Sequence, residues 1–443
     1  MSAFDPAVFS SSSRFEVDHL TIGGVNASDL ASEFGTPLFV VDQADFKNRA
    51  LAWKSALEES FGQNAGSVYY AAKSFLAKEI ARWVEGTGIG LDVCTGGELA
   101  VAIATNFSAD RIEMHGNNKS EEEIRSAINY GVRTIVVDSF FEIERVARIA
   151  AELGKVQSVL IRVTPGVEAH THEFISTAHE DVKFGFSLAS GAAWDGISAI
   201  RAERSLNLLG LHSHIGSQIF KSEGFAAAAA KLITLLARYR DTYGVELPEL
   251  DLGGGYGIAY VPGEITLDPL LIMGELAAIV KAECLQSGLA LPTISIEPGR
   301  AIVGPTTTTL YTVGTTKEVE LDGGLSRRYV AVDGGMSDNI RPALYGAQYL
   351  AIVANRLPLG DNVNSRVVGK HCESGDIVIN EISLSADVQP GDLLAIPATG
   401  AYGYSMASNY NHVPRPAVVA VIDGKARLIV RREQIADLLA LEI

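Results

Sequence analysis

Lys73 follows Val68-Tyr69-Tyr70-Ala71-Ala72, a run of good strand formers, and precedes a stretch of helical character over 77–86. Burial at a strand end disfavours an ammonium and lowers its proton affinity. A neutral amine attacks carbonyls, so Lys73 is a Schiff-base candidate. On this stretch alone, a lysine that snorkels to solvent along a rim is the plainer explanation.

Two further stretches change that balance. Gly253-Gly254-Gly255 offers consecutive backbone amides, a nest suited to a phosphate. Taken alone, such a run is more often a tight turn. Glu297-Pro298-Gly299-Arg300 follows about forty residues later. A Schiff-base lysine with a phosphate cradle points to pyridoxal 5'-phosphate, PLP. Glu297 suits the pyridine nitrogen, because a charge-assisted hydrogen bond there is worth about 1.5–3 kcal/mol. Metal chemistry is the rival, since His212-Ser213-His214 and His170-Thr171-His172 each offer two imidazoles. The order argues against it: binuclear barrel hydrolases place the His-x-His on the first strand and the lysine later. No metal is therefore expected.

These residues need elements that bring them together. Strand patterns fall at Val68–Ala72, Ile89–Cys94, Arg111–His115, Thr134–Asp138, Ser158–Thr164, Asn207–His214, Glu249–Gly253 and Thr293–Glu297. Helical patterns intervene, as at Ser120–Tyr130, Phe141–Leu153, Ala226–Tyr243 and Ile272–Ser287. Eight strand–helix units predict a (β/α)8 TIM-like barrel, whose active site lies at the C-terminal strand ends. Lys73, Asp92, His214, Ser217, Gly255 and Glu297 fall at those ends, and Arg162 lies in the fifth strand. A doubly wound open sheet would need a glycine-rich turn after its first strand, and Ala71–Leu76 has no glycine.

After Pro298 the pattern changes. Thr306–Thr315, Arg328–Val332, Arg366–Gly369, Asp376–Ile382, Leu393–Pro397, Ala417–Val421 and Ala426–Arg431 read as strands, before a helical stretch at Glu433–Leu441. This predicts an all-β C-terminal domain. Ahead of the barrel lie strands at Phe15–Ile22 and Thr36–Val41, a helix at Ala27–Phe34, and a helix at Asp45–Ser60 with Phe46, Ala50, Trp53 and Leu57 on one face. Residues 1–13, rich in serine, are expected to form a disordered tail. The expected division is 1–43, joining the β domain; 44–304, the PLP-binding barrel; and 305–443, the C-terminal β domain.

The 443 residues suffice for two domains, and 47% apolar with 20% charged residues suits a globular protein. A net charge of −17 argues against nucleic acid and anionic membranes. Cys94, Cys284 and Cys372 form an odd set without metal-like spacing, which suits a reducing compartment. No signal-peptide pattern and no membrane-spanning run are visible, so a cytoplasmic protein is expected.

Seven motifs in one order resemble the PLP-dependent decarboxylases of the alanine racemase-like fold, the ornithine/diaminopimelate/arginine decarboxylase family, over nearly the whole chain. They are Tyr70-Ala71-Ala72-Lys73, His212–Gln218, Gly253–Gly255, Glu297–Arg300, Asp338-Asn339-Ile340-Arg341-Pro342-Ala343-Leu344-Tyr345, Cys372-Glu373-Ser374-Gly375-Asp376 and Gly400-Ala401-Tyr402. The likeness is greatest to the diaminopimelate branch. It implies decarboxylation of meso-2,6-diaminopimelate to L-lysine, the last step of lysine synthesis.

The resemblance also implies roles. Lys73 carries PLP, and His214 stacks on its ring. Ser217, Gly255, Glu297, Pro298, Gly299, Arg300 and Tyr402 hold phosphate and ring, with Asp92 and Arg162 counted among the cofactor contacts. Arg300, Arg341, Tyr345 and Tyr402 take the substrate, and Glu373 faces its distal ammonium. Cys372 delivers a proton, and a homodimer shares Cys372 and Glu373 between active sites. Thr95 stands where many members have serine, and it keeps the hydroxyl.

Charge then sets specificity. Arg341 matches a distal carboxylate, and ornithine or lysine would leave it unpaired at a cost on the order of 3–5 kcal/mol. A decarboxylase of ornithine, arginine or a carboxylated polyamine is the alternative, although such relatives should lack Arg341-Pro342-x-x-Tyr345. A non-catalytic PLP-binding regulator is the alternative of a different class, but such proteins usually lose Lys73, Cys372 or Glu297. Glu121-Glu122-Glu123 reads as a helix-dipole feature, and Cys94 as a small packing residue.

Overall fold

In the computed structural model, residues 4–63, 65–167 and 183–443 are described. The chain forms two compact units, one of residues 49–257 and 267–299, the other of residues 1–48, 258–266 and 300–443. The excursion over 258–266 has no counterpart in the hydropathy pattern.

The first unit is a closed parallel barrel. Its strands are β1 (Gly66–Ala71), β2 (Gly90–Val93), β3 (Ile112–Met114), β4 (Thr134–Val137), β5 (Gln157–Thr164), β6 (Leu206–His212), β7 (Glu249–Asp251) and β8 (Thr293–Ile296). Each pairs in parallel with the next, and β8 pairs with β1 to close the ring. Most strand residues are buried, as expected where both faces of a parallel sheet are covered. A short strand at Phe186–Ser187, not expected from the sequence, adds beside the end of β5.

The surrounding helices begin where the chain supplies caps. Ser120 and Glu123 form a capping box for the helix Glu121–Tyr130, and its three glutamates occupy the positive first turn. Asp268 caps Pro269–Gln286, and Ser139 caps Phe140–Glu152. Low in the barrel, Arg133 donates to Glu113 (3.3 Å) and to Glu249.

The second unit is a β domain. Leu38–Asp42 lies antiparallel to Thr307–Glu320 and parallel to Ala417–Ile422, so the N-terminal segment supplies an internal strand. Thr307–Glu320 continues the sheet to Ser326–Val332, Asn362–Val368 and Ile377–Ser385.

Two expectations are corrected. Phe15–Ile22 is not one strand but a hairpin of Arg14–Glu16 and His19–Ile22, turned at Val17, which adopts φ 53°. The serine-rich start is not a loose tail across its described residues. Val8 and Phe9 are fully buried in a core with Leu20, Ile22, Leu310 and Val419. The serines there make defined side-chain hydrogen bonds: the Ser10 and Ser13 hydroxyls lie 2.8 Å apart, and Ser12 donates to Asp42. Composition hid two apolar anchors among six polar neighbours.

Candidate active site

The barrel gathers its polar residues at the C-terminal strand ends. β1 ends in a single 3-10 turn, Ala72–Ser74. Ser74 donates to the Ala71 carbonyl at 2.7 Å, and the Tyr70 hydroxyl donates to the Phe75 carbonyl at 2.7 Å. This turn presents Lys73, whose Nζ lies 3.6 Å from Oδ2 of Asp92 on β2. Lys73 is not sealed in apolar surroundings: its side chain is 39% exposed, whereas that of Asp92 is 2% exposed. Burial, only partly offset by Lys73, raises the Asp92 carboxyl to about 7.

Glu297 follows β8 and is buried. Its Oε1 lies 3.0 Å from Nε2 of His212 and 3.4 Å from Nε2 of His115. Neither contact is aligned as a hydrogen bond, and Oε1 has no hydrogen-bond donor among the described residues. Burial opposes the charge of Glu297, but His115, His212 and Lys73 outweigh it and hold the carboxyl well below its ordinary range. His115, on the turn after β3, did not stand out as a site residue in the sequence. Its place at a strand end was the available signal.

The two imidazoles of His212-Ser213-His214 have separate partners. His212 faces Glu297, while Nδ1 of His214 accepts the N–H of Gly254 at 3.2 Å. That bond fixes the His214 ring and occupies one amide of the glycine run. His170 and His172 lie outside the described residues. Arg162 is mostly buried, with its Nε 3.8 Å from Oδ1 of Asp138.

The glycine run is shaped by close approach. Gly253 and Gly255 have φ of 70° and 107°, where side chains are disfavoured. A Cβ on Gly254 would overlap the Glu297 carbonyl, and one on Gly255 would overlap the Gly216 carbonyl. Ser217 lies next along that turn. Pro298 and Gly299 are buried, and Gly299 packs on Ala71 and Ser74. Cys94 donates its N–H to Glu98, and burial pushes its thiol up, which suits a packing role rather than an acid.

The β domain carries the remaining candidates. Arg300 donates to the Tyr260 hydroxyl, and its guanidinium carbon lies 4.8 Å from the centre of the Tyr402 ring. Tyr402 itself holds φ 62°, an uncommon conformation for a side-chain-bearing residue. Arg341 opens the short helix Arg341–Tyr345, unforeseen in the sequence, and donates to the Tyr349 hydroxyl. Its guanidinium carbon lies 4.7 Å from the Tyr260 ring centre. Arg341 is 6% exposed, and no carboxylate pairs with it among the described residues. Tyr260 and Tyr349 escaped the sequence reading because isolated tyrosines carry no motif. Tyr345 is half-buried at the end of the helix.

Cys372 and Glu373 are exposed, on the loop before Ile377–Ser385. Glu373 accepts the Gly375 N–H at 3.1 Å and forms no ion pair with a described residue. Asp376 organises the loop by accepting the N–H groups of Met336 (2.6 Å) and His371 (2.8 Å).

The barrel and this strand-end chemistry define a class, the PLP-dependent decarboxylases. The family described as pyridoxal-dependent decarboxylase, pyridoxal binding domain, matches residues 43–304. The chain is 52% identical to a diaminopimelate decarboxylase of Corynebacterium efficiens, over 97% of this chain and 93% of that one. It is 48% identical to that of Bacillus subtilis, over 96% and 95%. The diaminopimelate decarboxylase of M. jannaschii in co-complex with L-lysine superposes with a TM-score of 0.88 at 32% identity, covering 98% of each chain. The chain belongs to the diaminopimelate decarboxylase family.

Its residues fit PLP. Glu297 offers a buried anionic oxygen that meets no donor among the described residues, as a protonated ring nitrogen requires. Lys73 stands beside it on the barrel top, and the glycine turn leaves no room for side chains.

Proposed function

We propose that the chain decarboxylates meso-2,6-diaminopimelate to L-lysine and CO2, with Lys73 holding PLP and Arg341 selecting the substrate. The observation that carries the substrate reading is Arg341: a buried guanidinium held by tyrosines, with no carboxylate partner among the described residues. A ligand carboxylate supplies that partner.

When bound, PLP supplies an electron sink for the carbanion left by loss of CO2. The chain's residues do the rest. The Lys73 amine anchors the cofactor, and Asp92 stabilises the ammonium form of Lys73 when the cofactor is released. Glu297 keeps the ring nitrogen protonated, and His214, oriented by Gly254, covers one ring face. Ser217, Gly255 and the Pro298–Gly299 turn receive phosphate and ring, and Arg162 adds positive charge. Arg300, Arg341, Tyr345 and Tyr402 bind the substrate, and Glu373 takes the distal ammonium. Cys372 Sγ returns a proton to the α-carbon.

The exposure of Cys372 and Glu373 on the single chain supports a homodimer in which they serve the partner's site. The working division is 1–43, 44–304 and 305–443. No helix among the described residues is long and apolar enough to cross a membrane, which agrees with action in the cytoplasm.

The test is CO2 release by protein loaded with PLP, with meso-diaminopimelate, L-ornithine and L-arginine side by side and a visible spectrum recorded first. Release from meso-diaminopimelate alone, with a visible cofactor band that Lys73→Ala abolishes, is expected. Release from ornithine or arginine alone would remove Arg341 as the selector, and a band retained in Lys73→Ala would remove the lysine.

A further inference from the structure

Below Glu297 the barrel holds two carboxyls that the reaction does not use, Glu113 on β3 and Asp251 on β7. One oxygen each from Glu113, Asp251 and Glu297 lie within 4.8 Å of one another, and all three residues are buried. Three adjacent anions in a buried site repel strongly. Arg133 relieves only Glu113, at 3.3 Å, because its other contact is Glu249. Gly253 donates to Oδ1 of Asp251 at 2.7 Å. Oε2 of Glu113 and Oδ2 of Asp251 meet no donor among the described residues. Carboxyl oxygens that face each other can bond only through a proton.

We propose that Glu113 and Asp251 share a proton and act as positioning residues that keep Glu297 ionised toward the cofactor's ring nitrogen. The inference rests on the PLP reading of Glu297. Burial raises Glu113 to about 8 and Asp251 well above its ordinary value, while Glu297 goes the other way. The proton thus settles on the two carboxyls farther from the cofactor. The titratable and charged groups around the pair are Tyr69, His115, Arg133, His212, Glu249 and Tyr256. Only Arg133 among them brings a permanent positive charge, and a proton shared by the two carboxyls relieves the repulsion that Arg133 leaves.

Infrared difference spectra of wild type minus Glu113→Gln/Asp251→Asn at pH 7, taken with and without PLP, test the shared proton directly. A deuterium-sensitive band of a protonated carboxyl is expected. A difference containing only ionised carboxylate bands would overturn the proposal. PLP affinity tests positioning: Asp251→Ala removes the acceptor of the Gly253 N–H, whose carbonyl in turn accepts the Glu297 N–H, and should lose about tenfold, whereas Asp251→Asn keeps an acceptor oxygen and should restore most of it. An asparagine no better than alanine would also overturn it. Should Asp251→Ala fail to fold, the infrared comparison of the amide variant still decides. Wild type without a visible band on PLP addition would sink the cofactor reading instead, and the cofactor-free infrared spectra remain informative.

Discussion

Nζ of Lys73 lies 3.6 Å from Oδ2 of Asp92, and the two side chains differ sharply in exposure, 39% against 2%. The carboxyl is therefore the strained partner. Its proton affinity is raised to about 7 by burial, with Lys73 offsetting part of the effect. An aspartic acid raised in the folded state binds its proton there more tightly than in the unfolded chain. Its stabilising contribution is complete below about pH 4 and is lost as pH rises through about 7. The cofactor-free protein should therefore lose stability over that window. Asp92→Asn should flatten the loss by an amount on the order of a few kcal/mol. Urea unfolding of both proteins at pH 5 and pH 8 measures it, and equal pH slopes would contradict the assignment.

Arg341 predicts specificity. Its guanidinium is buried between Tyr260 and Tyr349, whose hydroxyls outweigh the effect of burial and raise its proton affinity further. It stays charged whether or not substrate is present. Arg341→Met should lower kcat/KM for meso-diaminopimelate roughly 10²- to 10⁴-fold, the rate equivalent of about 3–5 kcal/mol for a broken buried pair. Arg341→Lys should recover little, since an ammonium lacks the planar fork. The visible cofactor band should not change in either variant. Steady-state kinetics beside spectra check this, and unaltered kcat/KM would remove Arg341 from the substrate.

Much of this arrangement was legible in the sequence, for physical reasons. Each barrel strand carries a short apolar run, and the chemistry clusters where those runs end, so Lys73, Asp92, His214 and Glu297 were locatable by period alone. What escaped is what depends on distance in space. His115 meets Glu297 across the barrel, from a strand far away in sequence. Tyr260 lies on an excursion between β7 and β8 that belongs to the other unit, and nothing local marks it. Asp251 reads as an ordinary strand residue until Glu113 is placed beside it. The buried Val8 and Phe9 failed for the opposite reason, because a polar composition concealed two anchors.

The glycine run gives a steric prediction. Gly255 adopts φ 107°, and a Cβ there would overlap the Gly216 carbonyl on the turn that carries His214 and Ser217. Gly255→Ala must shift that turn. It should weaken PLP binding by tenfold or more and destabilise the fold by about 1–3 kcal/mol. Fluorescence titration with PLP and thermal unfolding measure the two effects. Wild-type affinity would show that the turn does not hold the cofactor.

Asp376 gives a prediction that tells catalysis from cofactor binding. It is 3% exposed and accepts the N–H groups of Met336 and His371, so it fixes the start of the loop that carries Cys372 and Glu373. A Cβ on Gly335 or on Gly369 would run into its carboxyl, which shows how closely the loop is wrapped around it. Asp376→Ala leaves the buried His371 N–H and the partly buried Met336 N–H without that acceptor, at about 1–3 kcal/mol for the buried one and less for the other. The loop should loosen and proton delivery from Cys372 should slow. Expected is a fall in kcat with the visible PLP band intact, and partial recovery in Asp376→Asn, which keeps one acceptor oxygen. Loss of the band alongside kcat would instead assign Asp376 to the fold as a whole. An unchanged kcat would mean that the loop's geometry does not limit the reaction.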